Sequence, residues 1–594
     1  MNWQLKEQAP QKFIDDFPEY SPVVLQLLYH RGFKTQEAID EFFNPDYEGD
    51  LHDPFLMLGV AEAVKRLQQA IKKQEKIAIF GDYDTDGVCG AVILKAVLEE
   101  LDADLSGGIF IPNRLKEGYG LNSEAIKKMA KKDVKLLLTV DCGISDLAAI
   151  ELANSLDMEV IITDHHQPGH KLPPARVIIN PWQSKDKYPF KELCGAGVVF
   201  KLAQALMKDN EKIKPGWEKW LLDLVALATV ADCVPLLGEN RTLVRYGLVV
   251  LAQTQRVGLQ ELMKIARLSP IYESETLRTN LDTCSIGFVL APRLNAAGRI
   301  EHADLALDLL ITRDRARAQE MAKQINDFNR QRQKITDSIA LEIEKRLKDN
   351  PPDKECPAII ESDKTWSPGI IGLVAGKVAD RYHRPTIIFS SVNCQGSHFR
   401  GSARSVPGFN IVEAIDHCSD LLEKFGGHAG AAGLELAEEN LKAFKEKFNQ
   451  VVRRALREKD LSPVLEVDMA VQPSDINWEL FDNLERLEPF GEGNERPLWL
   501  LKDMAITSLR VVGNGSKHLK LGLKNESLPI KTFRAIGFGL ACLAKNGVDG
   551  GACKNGGGEL KIGDKIDIVF ELLADEWNGT RNLQMKIIDI HNAM

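Results

Sequence analysis

Positive charge is scarce for a chain of this length: 75 lysines and arginines face 85 aspartates and glutamates, a formal net charge of -10 over 594 residues. That balance excludes a protein that coats nucleic acid indiscriminately, while leaving room for a narrow basic channel inside an acidic molecule. No uninterrupted apolar run is long enough to cross a bilayer, and Met1 to Glu7 lack the basic and apolar regions of a secretory signal. A cytoplasmic protein with no membrane partner is expected. The ten cysteines include no C-x-x-C pair, which argues against a zinc ribbon and against a disulfide framework. Cys142 and Cys233, each following an aspartate, read as small buried thiols on the wall of a site. With 44% hydrophobic and 27% charged residues, the composition is that of a globular protein of two to four domains.

What is present is concentrated. Lys76 to Gly87 reads Lys-Ile-Ala-Ile-Phe-Gly-Asp-Tyr-Asp-Thr-Asp-Gly: an apolar β-prone run, then Asp82, Asp84 and Asp86 at every second position, then a glycine opening the helical pattern Val88 to Leu101. Three carboxylates this close repel one another unless a cation lies between them. On this segment alone, a cation site and a solvated acidic turn serve equally well. From about 60 to 180 the pattern alternates, with strand-like segments at Ile77 to Phe80, Gly108 to Ile111, Leu136 to Val140, Val160 to Thr163 and Val177 to Ile179. That alternation predicts a parallel sheet built from βαβ units, in which ligands gather at the carboxyl ends of the strands. Two of these strands run directly into Asp141-Cys142-Gly143 and Asp164-His165-His166, and a later apolar segment, Leu221 to Val230, ends at Ala231-Asp232. Each motif singly has a plain explanation, such as a helix cap or a surface loop. Together they assemble carboxylates and imidazoles, a ligand set suited to Mn²⁺ or Mg²⁺.

The series Asp-Tyr-Asp-Thr-Asp-Gly, Asp-Cys-Gly, Asp-His-His and Ala-Asp-Cys-Val-Pro resembles the four motifs of the DHH phosphoesterase superfamily, and within it the RecJ-type single-strand-specific exonucleases. Arg293-Leu-Asn-Ala-Ala-Gly-Arg299 is similar to that family's fifth motif, and Gly426-Gly-His-Ala-Gly-Ala-Ala-Gly433, which contains His428, to the glycine-rich motif of its DHHA1-type second domain. The resemblance covers roughly residues 50 to 594. It implies two-metal hydrolysis of a phosphodiester, with Asp82, Asp84, Asp86, Asp141, His165 and Asp232 sharing two Mn²⁺ or Mg²⁺ ions and Asp141 bridging them. His166 would contact the scissile phosphate, and Arg114, Arg293, Asn295 and Arg299 would add phosphate contacts. The resemblance further implies single-stranded DNA as substrate, 5′-to-3′ polarity, a role in repair and recombination, and a helicase and a single-strand-binding protein as partners. Relatives in the superfamily hydrolyse small substrates; the extra C-terminal region and the long linker favour a polymer.

The remaining stretches fit that organisation. Residues 1 to 50 read as an N-terminal appendage without chemistry, and 51 to 304 as the DHH domain. In the connecting helix, 305 to 350, Met321, Ile325, Phe328, Ile335 and Ile339 fall at helical spacing beside many arginines and lysines. Residues 351 to 463 form a second α/β region of DHHA1 type. There Trp366-Ser-Pro-Gly leads into a helix whose free N–H groups suit a phosphate; family members usually carry His where Ser367 stands. Ser402 and Arg404, within Phe399 to Gly408, are candidate anion ligands, assigned by resemblance to the 5′ end of the strand. From 464 to 594, short alternating segments suggest a small antiparallel barrel, an OB-fold by resemblance, with Lys517, Lys520, Lys531, Arg534 and Trp577 as candidate strand contacts. Ala544 to Gly558 reads as a flexible hairpin loop.

Overall fold

The computed structural model describes the chain apart from residues 1, 115, 209, 211, 275–277, 354–356, 392–396, 457–462, 514, 529, 545–558, 578–579 and 594, and apart from the side chains of 576, 577 and 580. The expected hairpin loop after Ala544 and the Trp577 side chain therefore lie outside the described residues. Two compact units result: Tyr47–Leu461, and a second made of Met1–Asp46 together with Ser462–Met594.

The larger unit is organised on a parallel sheet of β1 (Ile77–Gly81), β2 (Gly108–Phe110), β3 (Leu136–Val140), β4 (Glu159–Thr163) and β5 (Val177–Ile179), in the order β2-β1-β3-β4-β5. Every residue of β1 and β3 is buried, which is why they read as continuous apolar runs rather than alternating ones. The chain crosses to opposite sides of β1 on leaving it and on returning, so a topological switch point opens between β1 and β3. Around this sheet pack α1 (Thr85–Glu100), α2 (Gly195–Met207), α3 (Leu222–Ala231) and α4 (Ala291–Ile300). Gly87 in the first turn of α1 is demanded by space: a Cβ there would stand 2.5 Å from the backbone nitrogen of Asp82.

The expected single connecting helix is two. A helix Asp304–Ile311 stops at Thr312, and Asp314 accepts hydrogen bonds from the N–H groups of Ala316 and Arg317 to begin the 35-residue α5, Arg315–Asp349. At 1.5 Å per residue α5 is about 50 Å long. It buries Met321, Ile325 and Ile339, three of the five apolar positions expected to line it. Beyond it a mixed sheet of β6 (Ile359–Asp363), β7 (Thr386–Ser391), β8 (His398–Arg404), β9 (Lys424–His428) and β10 (Ala431–Ala437) runs in the order β9-β10-β8-β7-β6, with α6 (Ile371–Tyr382) against it.

In the other unit, β11 (Trp499–Val512), β12 (His518–Lys524), β13 (Phe533–Gly537), β14 (Lys565–Trp577) and β15 (Thr580–Asn592) pair in the order β11-β12-β13-β15-β14, and β14 returns to β11 to close a five-stranded barrel. The barrel is not wholly antiparallel, because β13 and β15 run parallel. The first residues join this unit: strand Asn2–Leu5 pairs in parallel with Val464–Val467, Trp3 stacks on His591 at 3.8 Å between ring centroids and donates to Asp589, and Arg31 donates to Asn494. The N-terminal segment expected to stand as an appendage is thus a structural part of the C-terminal unit. Among the described residues six cysteines are free thiols and Cys542 is disulfide-bonded, a bond that the scattered spacing does not announce. No helix of the described residues is long and apolar enough to cross a membrane.

Candidate functional site

Three acids extend the ladder of the parallel sheet by one residue each. The N–H of Asp82 donates to Val140, that of Asp141 to Thr163 and that of Asp164 to Ile179, so each acid stands one step past the end of its strand and all share one edge, at the switch point. Asp141 turns back with a left-handed φ of 60°, a conformation seldom adopted outside glycine, asparagine and aspartate and concentrated at functional sites. Opposite it lies the start of α2, where a Cβ on Gly195 would meet the Asp141 Cβ at 2.6 Å. Only glycine lets the helix come this close, and the approach puts the N–H groups of Gly195 and Ala196 on the two oxygens of Asp86, at 2.6 and 2.7 Å. Asp84 accepts from the N–H groups of Asp86 and Gly87, and Asp232 follows the last residue of α3.

Into this ring comes His165, whose Nε2 is 3.2 Å from Asp141, 3.5 Å from Asp232 and 3.8 Å from Asp86. Three overlapping groups have the spacing to hold a metal ion: Asp82, Asp84 and Asp141; Asp86, His165 and Asp232; and Asp141, His165 and His166. Asp141 belongs to two of them. The donor set passes a stricter test. Asp82 Oδ1, Asp141 Oδ1 and His165 Nε2 are buried and have no aligned hydrogen-bond partner among the described residues. Buried polar atoms are seldom left this way; Asp82 and His165 belong to neighbouring groups that share Asp141, and cations held in those groups would satisfy all three. Burial, then the charge of neighbouring carboxylates, pushes Asp82 and Asp141 well above the usual carboxylate range and Asp232 up to about 9. Burial also raises Asp86, against the pull of His165. Divalent charge in the ring would reverse these shifts.

His166 is fixed differently. Its Nδ1 lies 2.8 Å from Asp164, a fully buried carboxylate that also accepts from the N–H groups of Ile144, His165 and His166. Burial alone would lower the His166 pKa; the hydrogen bond and charge of Asp164 outweigh it and raise it. His165, without such a partner, is lowered by burial.

Around the acids stands a row of cations within the same unit. Arg114 lies over the Tyr83 ring at 4.8 Å, and Arg299 donates to the carbonyl of Gly369. Burial, then Arg114 and Arg332, pulls Arg299 below its ordinary value, and burial followed by Arg114 does the same to Arg404. Arg293 bonds Asn326 of α5 and the carbonyl of Val289. Cationic side chains crowded together and partly stripped of water form a site waiting for an anion. At the first turn of α6, a Cβ on Gly372 would meet Ser402 Oγ at 3.0 Å and Arg404 Nη2 at 3.5 Å. The helix N-terminus, hydroxyl and guanidinium therefore face one small space.

Comparison with known proteins agrees with this geometry. The DHH family N-terminal domain matches residues 76–229, the DHHA1 domain 356–454 and the RecJ OB domain 467–589. The single-stranded-DNA-specific exonuclease RecJ of Bacillus subtilis is 37% identical over 591 residues, which span 99% of this chain and 70% of that protein. The chain belongs to the RecJ family. The RecJ of Haemophilus influenzae is 32% identical over 90% of this chain and 91% of its own. The crystal structure of RecJ in complex with Mn²⁺ from Thermus thermophilus superposes with a TM-score of 0.79 at 29% identity, covering 100% of this chain and 80% of that one.

Set beside the RecJ motifs, the sequence-based candidates fall into three groups. Asp82, Asp84, Asp86, Asp141, His165, His166 and Asp232 come together; the charges of Arg114 and Arg299 reach Asp82 and Asp84, Arg404 lies within the reach of Arg114's charge and beside Ser402, and Arg293 is tied to α5. Asn295, expected on a phosphate, has its side-chain carbonyl oxygen bonded to the N–H and hydroxyl of Thr85, which locks the acidic loop. His428 ends the exposed strand β9, paired opposite Ala431. Ser367 accepts through its backbone carbonyl from Ile370 and Ile371 and so opens the turn into α6. Cys142 is buried as expected, but Cys233, at a φ of 58°, is exposed. Of the expected barrel contacts, Lys520 and Arg534 are exposed, while Lys531 donates to the Ile476 carbonyl. Sequence reasoning passed over Asp164 as a ligand-orienting acid, although it was in plain view in the Asp-His-His motif. It also missed Tyr119, whose hydroxyl donates to the Asp141 carbonyl and lies 3.2 Å from His166 Nδ1. Gly195 had no local signal.

Proposed function

We propose that this chain is a metal-dependent exonuclease that shortens single-stranded DNA from its 5′ end, releasing mononucleotides during DNA repair and recombination, with a helicase and a single-strand-binding protein supplying its substrate. The observation that carries the reading is a set of overlapping ligand groups that share Asp141 at a sheet switch point, in which Asp82 Oδ1, Asp141 Oδ1 and His165 Nε2 are buried without a hydrogen-bond partner among the described residues. Asp82, Asp84, Asp86, Asp141, His165 and Asp232 would hold two Mn²⁺ or Mg²⁺ ions, the metals named for the related RecJ crystals. When bound, such a pair supplies acidity for a water nucleophile and positive charge against the transition state and leaving oxygen.

The chain's own groups do the rest. Asp164 accepts from His166 Nδ1–H and its charge favours the imidazolium, in which the other ring nitrogen also carries a proton and can donate to the scissile phosphate. Asn295 holds Thr85 and so fixes the carboxylates on either side of it. Arg114, Arg293 and Arg299 draw in the phosphodiester backbone, and their crowding means that a bound phosphate relieves repulsion as well as adding contacts. Ser402, Arg404 and the α6 N-terminus suit a terminal 5′-phosphate, which carries more charge and more free oxygens than an internal one. That pocket gives the 5′-to-3′ polarity its physical basis.

The test is an oligonucleotide labelled at either end, incubated with Mn²⁺, with Mg²⁺ or with chelator, beside matched RNA and blunt duplex. Stepwise shortening of single-stranded DNA from the 5′ end, only with metal, is the expected result. Survival of the strand while a dinucleotide or short RNA is cleaved would move the substrate to the small-molecule branch of the superfamily.

A further inference from the structure

Phe288 is the most exposed aromatic side chain among the described residues, at 81% of its full accessibility. A single exposed apolar residue is ordinary by itself; its mounting is what sets this one apart. It sits in a wide π-helical turn, Ser285–Leu290, that runs without a break into α4. Such turns are rare and recur at functional sites. Its neighbours Ile286 and Leu290 are fully buried. Asp282 accepts from both the N–H and the hydroxyl of Ser285. Gly287 faces Val230, two residues before Asp232, and a Cβ on it would lie 3.6 Å from that side chain. On the other side, Arg293 grips the Val289 carbonyl at 2.6 Å while its Nε donates to Asn326 of α5. A rigid turn tied to the metal-site helix and to the cationic row therefore holds out one bare aromatic ring. Along the shared helix, Phe288 stands seven residues from Asn295, about 10 Å from the residue that locks the acidic loop.

We propose that Phe288 is a stacking platform for a base of the substrate strand, beside the arginines that hold the strand's phosphates. Every base has a π-face, so a ring used in this way adds affinity for a single strand without reading sequence, and it offers nothing to bases already stacked inside a duplex. The inference deepens the proposed exonuclease reading and rests on it.

The experiment compares Phe288→Ala, Phe288→Leu and Phe288→Tyr in the full chain on a 5′-phosphorylated single strand and on the same strand with abasic residues near its 5′ end. Loss of one stacked base is expected to raise KM about tenfold in the Ala and Leu variants, with kcat little changed and Tyr close to wild type. Wild type should be penalised by abasic residues, and Phe288→Ala should be indifferent to them. Equal abasic penalties in wild type and Phe288→Ala would overturn the proposal. Because the ring is exposed, thermal stability should not move. A Phe288→Trp variant titrated with the strand in chelator gives a reading independent of turnover: quenching of the added fluorescence is expected, and its absence at saturating strand counts against the platform. Quenching in chelator with no strand shortening once Mn²⁺ is supplied would leave Phe288 as a strand contact and sink the exonuclease reading instead.

Discussion

Gly195→Ala adds one methyl group at the tightest point of the site, and its consequences follow from distances. The new Cβ would stand 2.6 Å from Asp141 Cβ and 2.9 Å from its Oδ1, about 0.8 Å inside the 3.4 Å at which ordinary contact begins. Neither side can easily give way. Asp141 is held by its N–H on Thr163, by Tyr119 on its carbonyl and by its left-handed backbone. The start of α2 is held by the two short bonds to Asp86 and by the buried Ala196. The overpacking costs about 1–3 kcal/mol, and if α2 backs away the loss of a hydrogen bond to a carboxylate adds about 1.5–3 kcal/mol. A displacement of this size among ligands and reacting groups is worth about 100-fold in rate. Single-turnover cleavage of an end-labelled strand at saturating Mn²⁺ measures that loss, and calorimetric titration measures the expected 10- to 100-fold weakening of Mn²⁺ binding. Gly376→Ala in α6 is the control, because a Cβ there meets nothing within 4 Å; it should be neutral or stabilising by up to about 1 kcal/mol. A Gly195→Ala enzyme with a rate within threefold of wild type and unchanged Mn²⁺ affinity would refute the argument that this close approach builds the site.

Three further outcomes are expected. Asp164→Asn should lower kcat about 10- to 100-fold and move the pH-rate limb belonging to His166 to lower pH, since the variant loses the charge that raises that imidazole; an unshifted profile would detach Asp164 from His166. In chelator, thermal stability should fall as pH rises from about 4 to about 9, because Asp232 keeps its proton to about 9 in the folded protein and loses it near 3.9 when unfolded. Stabilisation by Mn²⁺ should therefore grow over the same interval, and scanning calorimetry with and without the ion at pH 5 and 8.5 checks both. Arg404→Ala should cut the preference for a 5′-phosphorylated over a 5′-hydroxyl strand about 10- to 100-fold, the worth of a charge-assisted hydrogen bond; equal losses on the two substrates would give Arg404 a folding role.

The sequence was most legible where chemistry follows a strand directly. Strands β1, β3 and β5 lie within a residue of the apolar runs that announced them, and the acids after β1, β3 and β4 share an edge because a parallel sheet leaves them no other place. It was least legible where a residue acts through one far away. Gly195 supports Asp86 across 109 positions and Asn295 holds Thr85 across 210, separations at which spacing carries no signal. The connecting segment holds two helices because Asp314 caps a new start at Arg315, and the apolar positions that read as helical, Met321 to Ile339, all lie beyond that break. The parallel pair in the barrel escaped notice because period-two alternation records which face a residue takes and not the direction of its neighbour.

The pairing of Asn2–Leu5 with Val464–Val467 makes one unit an insertion within the other. On the ribosome the opening 46 residues emerge first, yet the strands that complete their fold follow only after about 400 more residues, a wait of roughly 20–80 s at typical elongation rates. The metal-site unit can close during that interval; the barrel unit cannot. The order of folding is thus the reverse of the order of synthesis for the first segment, whose strand waits for Val464–Val467. A ribosome stalled before residue 462 would leave the metal-site unit complete and Asn2–Leu5 without the strand it pairs with.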